Sequence, residues 1–308
     1  MDNKEKIRLV FEQTNKVMTF GELAEQAKEA RQALVPEEMP VFHIECLDKR
    51  LKKIKHNSLT IFGAYSSTGK TQLANNIVIQ NAKKGKVVLY FMLEDVFEIY
   101  ERYMATEISK DMPLNKIDYS LNIDTTGLIK RKEDELYKRI DKNIMDNLLI
   151  YKKDKIPDMQ EIVNIVSALS NRVDLIAIDH LQYISLPDDA SENKALSDMM
   201  QTAKNITDNL RKPVIIFSHL RKKDGKQKEK PLDMDDLHSS NIFKQANNVI
   251  LFEPVRDDGM YYKNKDNYVT RFVIAKSRVS GANRDTSYME YSQSLQAYTK
   301  ETEYKPVF

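Results

Sequence analysis

The sequence predicts an α/β protein with a mostly parallel sheet, flanked by helices and closed at its C-terminal edge by antiparallel strands. Three observations carry this expectation. Short, nearly all-apolar runs at 59–62, 87–93, 173–178, 214–217 and 249–252 read as strands buried on both faces. Segments of helical pattern separate several of them, which is how parallel strands are connected. The tail instead alternates apolar and polar residues at 268–275, 287–291 and 295–299, as antiparallel strands do.

Composition narrows the classes further. A chain of 308 residues can bury a core without staples, as one large domain or two modest ones. With 41% hydrophobic residues and 48 Lys+Arg against 46 Asp+Glu, it is neither a disordered chain nor a strongly basic chromatin-type protein. Any nucleic-acid surface must therefore be local. A single cysteine, Cys46, allows no internal disulfide, and five scattered histidines without a Cys-x-x-Cys pair offer no closed zinc site. No apolar stretch reaches signal-peptide or membrane-spanning length, so a soluble cytoplasmic protein with no membrane partner is expected.

The first element is a helix over 20–34. Thr19 and Glu22 form a capping box, and Phe20, Leu23, Ala24, Ala27, Ala30 and Leu34 recur at helical spacing before Pro36. This sets residues 1–38 apart as an N-terminal segment ahead of a domain at 39–308. The apolar face could pack on its own domain or on a neighbouring subunit.

Next, the 59–62 strand runs into Gly63-Ala64-Tyr65-Ser66-Ser67-Thr68-Gly69-Lys70-Thr71, followed by a helix over 72–83. A phosphate-binding loop needs this layout. Backbone N–H groups of Gly63, Ala64, Ser66, Ser67, Thr68 and Gly69 would curve around the phosphates of ATP or another NTP. Lys70 would reach the β/γ oxygens, and Thr71 would ligate Mg²⁺. The general pattern wants glycine six residues before Lys70, where Ala64 stands.

Glu94 follows the strand at 88–93, the expected neighbour of the phosphate-loop strand, and would emerge at the C-terminal sheet edge where ligands bind. It is the candidate base for an attacking water; the alternative is a charge favoured at a helix N-terminus. The charged stretch 111–147 reads as helical without a role. Asp179 ends the apolar run at 173–178, the position that holds Mg²⁺ with Thr71 in phosphate-loop enzymes. The strand at 214–217 leads into Ser218-His219, where a polar group could report on the γ-phosphate.

After His219, residues 221–230 hold six basic against two acidic residues. Arg221, Lys222, Lys223, Lys226 and Lys228 are candidate contacts to a nucleic-acid backbone; a solvated charge run is the plain alternative. Finally, Lys276 and Arg278 stand two apart at a strand end and share a face. Such a pair could enter a neighbouring subunit's nucleotide site as an arginine finger, or pair with surface carboxylates in a monomer.

In order along residues 40 to 299, these motifs resemble the RecA-like P-loop NTPase domain of hexameric replicative helicases, the DnaB, phage helicase-primase and Twinkle type. GAYSSTGKT is similar to that family's variant loop, in which Gly-Ala replaces x-Gly. The resemblance implies Glu94 as catalytic glutamate, Asp179 as the metal-binding aspartate, Gln182 beside the nucleotide and His219 as sensor. It also implies Lys276 and Arg278 as trans-acting cations, and 236–246 as a loop near DNA. The implied activity is ATP-dependent unwinding by a ring that travels 5′→3′ on single-stranded DNA, with a primase or loader as further partner; the compact single-module form adds the expectation of a phage or mobile-element source. Two other readings stay open: a RecA-like DNA-dependent ATPase that mediates, loads or regulates without unwinding, and a small-substrate phosphotransferase.

Overall fold

The computed structural model describes residues 19–32, 38–109, 134–152, 154–186, 191–221, 232–237, 240–257, 260–278, 280–281, 285–293 and 295–304. Two units are distinguished, Met1–Met39 and Pro40–Phe308. In the first, α1 spans Phe20–Gln32. Its start is the capping box: the Thr19 N–H donates to Glu22 Oε2 at 2.7 Å and the Glu22 N–H to Thr19 Oγ1 at 3.2 Å. Phe20 and Leu23 on this helix are exposed.

The second unit is a sheet between two helical layers. Its five central strands are β1 (Leu59–Ala64), β2 (Val88–Met92), β4 (Leu175–Asp179), β5 (Val214–His219) and β6 (Asn248–Pro254). All five predicted apolar runs are therefore strands. They pair parallel in the order β6-β1-β5-β4-β2. A three-residue strand, β3 (Leu148–Ile150), extends the β2 edge, and the sequence reading missed it because three residues carry no period. On the other side, β10 (Asn267–Ser277), β11 (Asp285–Ser292) and β12 (Ala297–Thr302) add antiparallel strands, as the alternation predicts. Two short additions were not anticipated: a hairpin of β7 (Arg256–Asp257) with β8 (Met260–Tyr261), and β9 (Lys263–Asn264) pairing with β10.

The order corrects one expectation. β2 does not neighbour β1; β5 and β4 lie between them. Chain order says nothing about which strands pair, because crossovers can skip positions in a sheet. Glu94 still reaches the same edge as the phosphate loop, since all these strands run parallel.

Period-two alternation divides the core. Leu59, Ile61, Phe91, Ile178 and Ile216 face α6 (Met159–Leu169) and α7 (Glu192–Leu210). Phe62, Tyr90, Ala177 and Phe217 face α2 (Glu45–Leu51) and α3 (Lys70–Lys83). Between β2 and β3 run α4 (Glu98–Ser109) and α5 (Lys142–Asn147); most of the charged 111–147 stretch lies outside the described residues. Cys46 is free and buried on α2.

Gly63 has a structural use of its own. It sits inside β1, opposite Ser218 and Leu251. A Cβ there would lie 2.8 Å from Leu251, 2.9 Å from Leu220 and 3.2 Å from Leu237. Leu220 and Leu237 bridge each other, and the Arg221 N–H donates to the Asp236 carbonyl at 2.7 Å. The absent side chain thus lets the stem of the 221–236 segment pack on the phosphate-loop strand. Gly63→Ala is expected to destabilise the fold by about 1–3 kcal/mol through overpacking, read as a lowered urea midpoint at unchanged slope.

Candidate nucleotide site

The loop between β1 and α3 turns on two positive φ angles, 58° at Ser67 and 89° at Gly69. Gly69 is the residue before the first turn of α3, and its conformation is one that side chains resist. Inside the loop, the Thr68 hydroxyl and the Lys70 ammonium both donate to the Tyr65 carbonyl, at 2.6 and 2.9 Å. Ser66, Ser67, Thr68, Gly69, Lys70 and Thr71 line a cleft of about 750 Å³ that Glu94, Glu98, Arg102, His180 and His219 also line. Gly63 and Ala64, expected in the cradle, lie within β1 and are not among the lining residues. The far wall was not foreseen. Tyr261, Tyr268, Tyr291 and Tyr298 come from the antiparallel tail, which sequence spacing could not bring to the loop.

Lys70 and Asp179 are 5% and 1% exposed. Burial pushes the Lys70 ammonium down to about 8 and the Asp179 carboxyl up to about 6, the latter against a hydrogen bond from Thr71. Asp179 Oδ2 accepts from the Tyr90 hydroxyl at 3.5 Å, while its Oδ1 has no hydrogen-bond partner. A buried carboxylate oxygen with an open lone pair beside a threonine hydroxyl suits a hard cation such as Mg²⁺, whose other ligands would be phosphate and water oxygens.

The Lys70 burial has a measurable consequence. A folded-state value of about 8, below the ordinary 10.5, means the folded chain holds fewer protons between those limits. Without nucleotide, stability should rise with pH across that window, and the cost of the buried ammonium is borne in full below it. Lys70→Met is expected to raise stability at neutral pH by about 1–3 kcal/mol, to flatten the rise, and to abolish nucleotide binding. Urea titrations at several pH values measure the first two.

Glu94 follows β2 and accepts a hydrogen bond from Tyr183. Its Oε1 stands 3.5 Å from His180 Nε2. His180, which sequence reasoning passed over, is 3% exposed and follows Asp179 through a cis peptide bond. Burial and the Lys70 charge hold it down to about 4, so it is neutral. Its Nε2 lies 2.9 Å from Nε2 of His219, whose Nδ1 lies 3.2 Å from Ser66 Oγ. Gln182 is set behind the cleft. Its Oε1 accepts the His219 backbone N–H at 3.2 Å and lies 3.1 Å from His180 Nδ1, while its Nε2 donates to Ser218 Oγ at 3.0 Å.

Lys276 and Arg278 are not among the residues lining this cleft. They cap the C-terminal end of α8 (Ser240–Gln245). Lys276 Nζ donates to the Phe243 carbonyl at 2.6 Å and the Lys244 carbonyl at 3.2 Å, and Arg278 donates to the Lys244 carbonyl at 3.0 Å. Burial, with Arg278 close by, lowers Lys276 to about 8. Arg221 is exposed at the stem of its segment. Lys222, Lys223, Lys226 and Lys228 lie outside the described residues.

A phosphate loop at the end of the central strand of a parallel sheet, with an aspartate two strands over at the end of β4 and a glutamate after β2 beyond it, defines a RecA-like nucleoside-triphosphatase. Comparison with known proteins narrows the class. The family described as DnaB-like helicase C terminal domain matches residues 42–300. The chain belongs to this family and is an NTP hydrolase domain of DnaB-like helicases. It is 25% identical over 217 residues to a probable plasmid replicative DNA helicase of Chlamydia muridarum, covering 67% of this chain and 45% of that one. It is 25% identical over 244 residues to the replicative DNA helicase DnaB of Mycoplasma genitalium, covering 75% and 50%. The chain thus spans about half the length of these relatives. The ATPase domain of G40P shares its fold with TM-score 0.73 at 18% identity, over 92% of this chain and 99% of that one. A DnaB-like replicative helicase described with its interactions with primase aligns with TM-score 0.68 at 18% identity, over 92% and 67%.

Proposed function

We propose that residues 39–308 are the motor of a replicative DNA helicase that assembles as a ring, hexameric by family resemblance, and moves 5′→3′ on single-stranded DNA. The observation that carries this reading is the supply of positive charge. Among the described residues, Lys70 and Arg102 are the lysine and arginine lining the cleft, and Arg102 is bonded to Glu98 and Gln72. Charge developing on a transferred phosphoryl group is ordinarily met by more than one cation. Lys276 and Arg278, held elsewhere in their own chain, are suited to a neighbour's cleft.

In this reading Lys70 orients the β/γ oxygens, and Glu94, held by Tyr183, takes a proton from the attacking water. Thr71 and Asp179 would hold Mg²⁺, which would supply positive charge to offset that of the phosphate groups. His219 senses the γ-phosphate from the strand that leads into 221–230, whose Arg221, Lys222, Lys223, Lys226 and Lys228 contact the DNA backbone. The helix in residues 1–38 latches neighbouring subunits through its exposed Phe20 and Leu23. A primase or a loader, and a phage or mobile-element setting, belong to the same proposal.

Strand displacement from a forked duplex, with ATP and Mg²⁺, is the expected result. A chain that hydrolyses ATP on single-stranded DNA and displaces nothing would instead be a mediator or loader; turnover indifferent to DNA would mark a phosphotransferase. Neutralising Lys222, Lys223 and Lys226 should weaken DNA binding across all sequences and lower its salt slope by about 2–3, leaving nucleotide affinity intact. An unchanged salt slope would make this a solvated charge run.

A further inference from the structure

With both rings neutral, and Glu94 Oε1 at 3.5 Å from His180 Nε2 beyond the usual hydrogen-bond range, the contacts around His180 and His219 fit one arrangement of protons. Gln182 Oε1 accepts the His219 backbone N–H, so that atom is the amide oxygen and not the nitrogen. His180 Nδ1, 3.1 Å away, must therefore donate to it. A neutral imidazole carrying its proton on Nδ1 presents a lone pair on Nε2. Across 2.9 Å the His219 Nε2 must then be the donor. His219 in turn accepts the Ser66 hydroxyl on Nδ1. A run of fixed direction results, from Ser66 through His219 and His180 to Gln182. Its two rings meet edge to face, with centroids 4.2 Å apart.

We infer that His180 is the positioning residue for His219, holding that ring's one N–H on Nε2 through a direct hydrogen bond. The inference rests on the reading of His219 as sensor of the γ-phosphate. Phosphate oxygens accept and do not donate, so a neutral sensor works only while its N–H faces the cleft. In the other tautomer, Nδ1–H would turn to Ser66 and a lone pair would face the phosphate. Both rings line the cleft, and His180 offers the acceptor that a phosphate oxygen would replace. Because His180 follows Asp179 on β4 while His219 ends β5, the same bond ties the ends of the two strands together. Gln182 completes the brace by bonding both residues and Ser218.

The test compares His180→Phe, which keeps a ring but cannot accept, with His180→Gln, whose amide oxygen can. Outer partners that orient a working imidazole ordinarily matter by about 10–100-fold. His180→Phe should lower kcat for ATP hydrolysis by about 10-fold or more with KM little changed, and His180→Gln should stay within about 3-fold of wild type. A second readout needs no turnover. ¹⁵N NMR of the five histidines in the full chain without nucleotide should show Nδ1–H for His180 and Nε2–H for His219, and His180→Phe should redistribute the His219 tautomers. Nδ1–H on His219 in the wild type would overturn the inference. So would a His180→Phe chain with wild-type kcat and an unmoved His219 tautomer. If His219→Gln leaves hydrolysis and its stimulation by DNA intact, the sensor reading itself fails, whatever the tautomers show.

Discussion

Mixtures of Lys70→Ala and Arg278→Ala chains, each inactive alone, are expected to recover NTPase activity. Loss of an arginine finger ordinarily costs about 10³–10⁵ in turnover, and loss of Lys70 removes the buried cation of the phosphate loop. Neither chain can build a working interface with its own kind. In a mixed ring, an Arg278→Ala subunit supplies an intact Lys70 cleft, and a Lys70→Ala neighbour supplies an intact Arg278. In an equal, randomly assembled mixture about one interface in four has both intact parts, so recovery toward about a quarter of wild-type turnover is the ceiling if interfaces act independently. For the finger to work, Arg278 must release the Lys244 carbonyl on α8, an exposed hydrogen bond. Absence of recovery at every mixing ratio would eliminate the trans role and leave Lys276 and Arg278 as caps of that helix.

Glu94→Gln carries the second large effect. The amide keeps the size of the side chain and can still accept from Tyr183, but it cannot take a proton. Removing a general base costs about 10²–10⁴ in rate, so single-turnover hydrolysis should fall by that factor while binding of a fluorescent nucleotide analogue holds. Binding should hold because Lys70, Thr71 and Asp179 are untouched. If hydrolysis falls only a few-fold, Glu94 is a charge placed ahead of α4, and Glu98, which lines the same cleft, becomes the base to test.

The apolar runs were legible because a strand covered on both faces leaves few positions for a polar side chain. The phosphate loop and Asp179 were legible because their chemistry needs particular residues at the end of a strand. The Gly-Ala variation was legible as a departure, but its cause was not. Gly63 is glycine because Leu220, Leu237 and Leu251 crowd the space its Cβ would fill, and all three of those residues are more than 150 positions away.

By itself, then, the sequence determined the α/β class, the five parallel strands and the three long antiparallel ones, and the order of the loop lysine and the carboxylates. Each depends on periodicity or spacing within a few residues. The tertiary structure alone decided that β5 and β4 separate β1 from β2. It alone brought His180 Nε2 to within 2.9 Å of Nε2 of His219, 39 positions away, and set Lys276 and Arg278 on the carbonyls of α8. The physical reason is the same in every case. Strand order and the direction of a hydrogen bond are set by groups that meet only after the chain has folded, and local pattern records the faces an element buries but not the partner it buries them against.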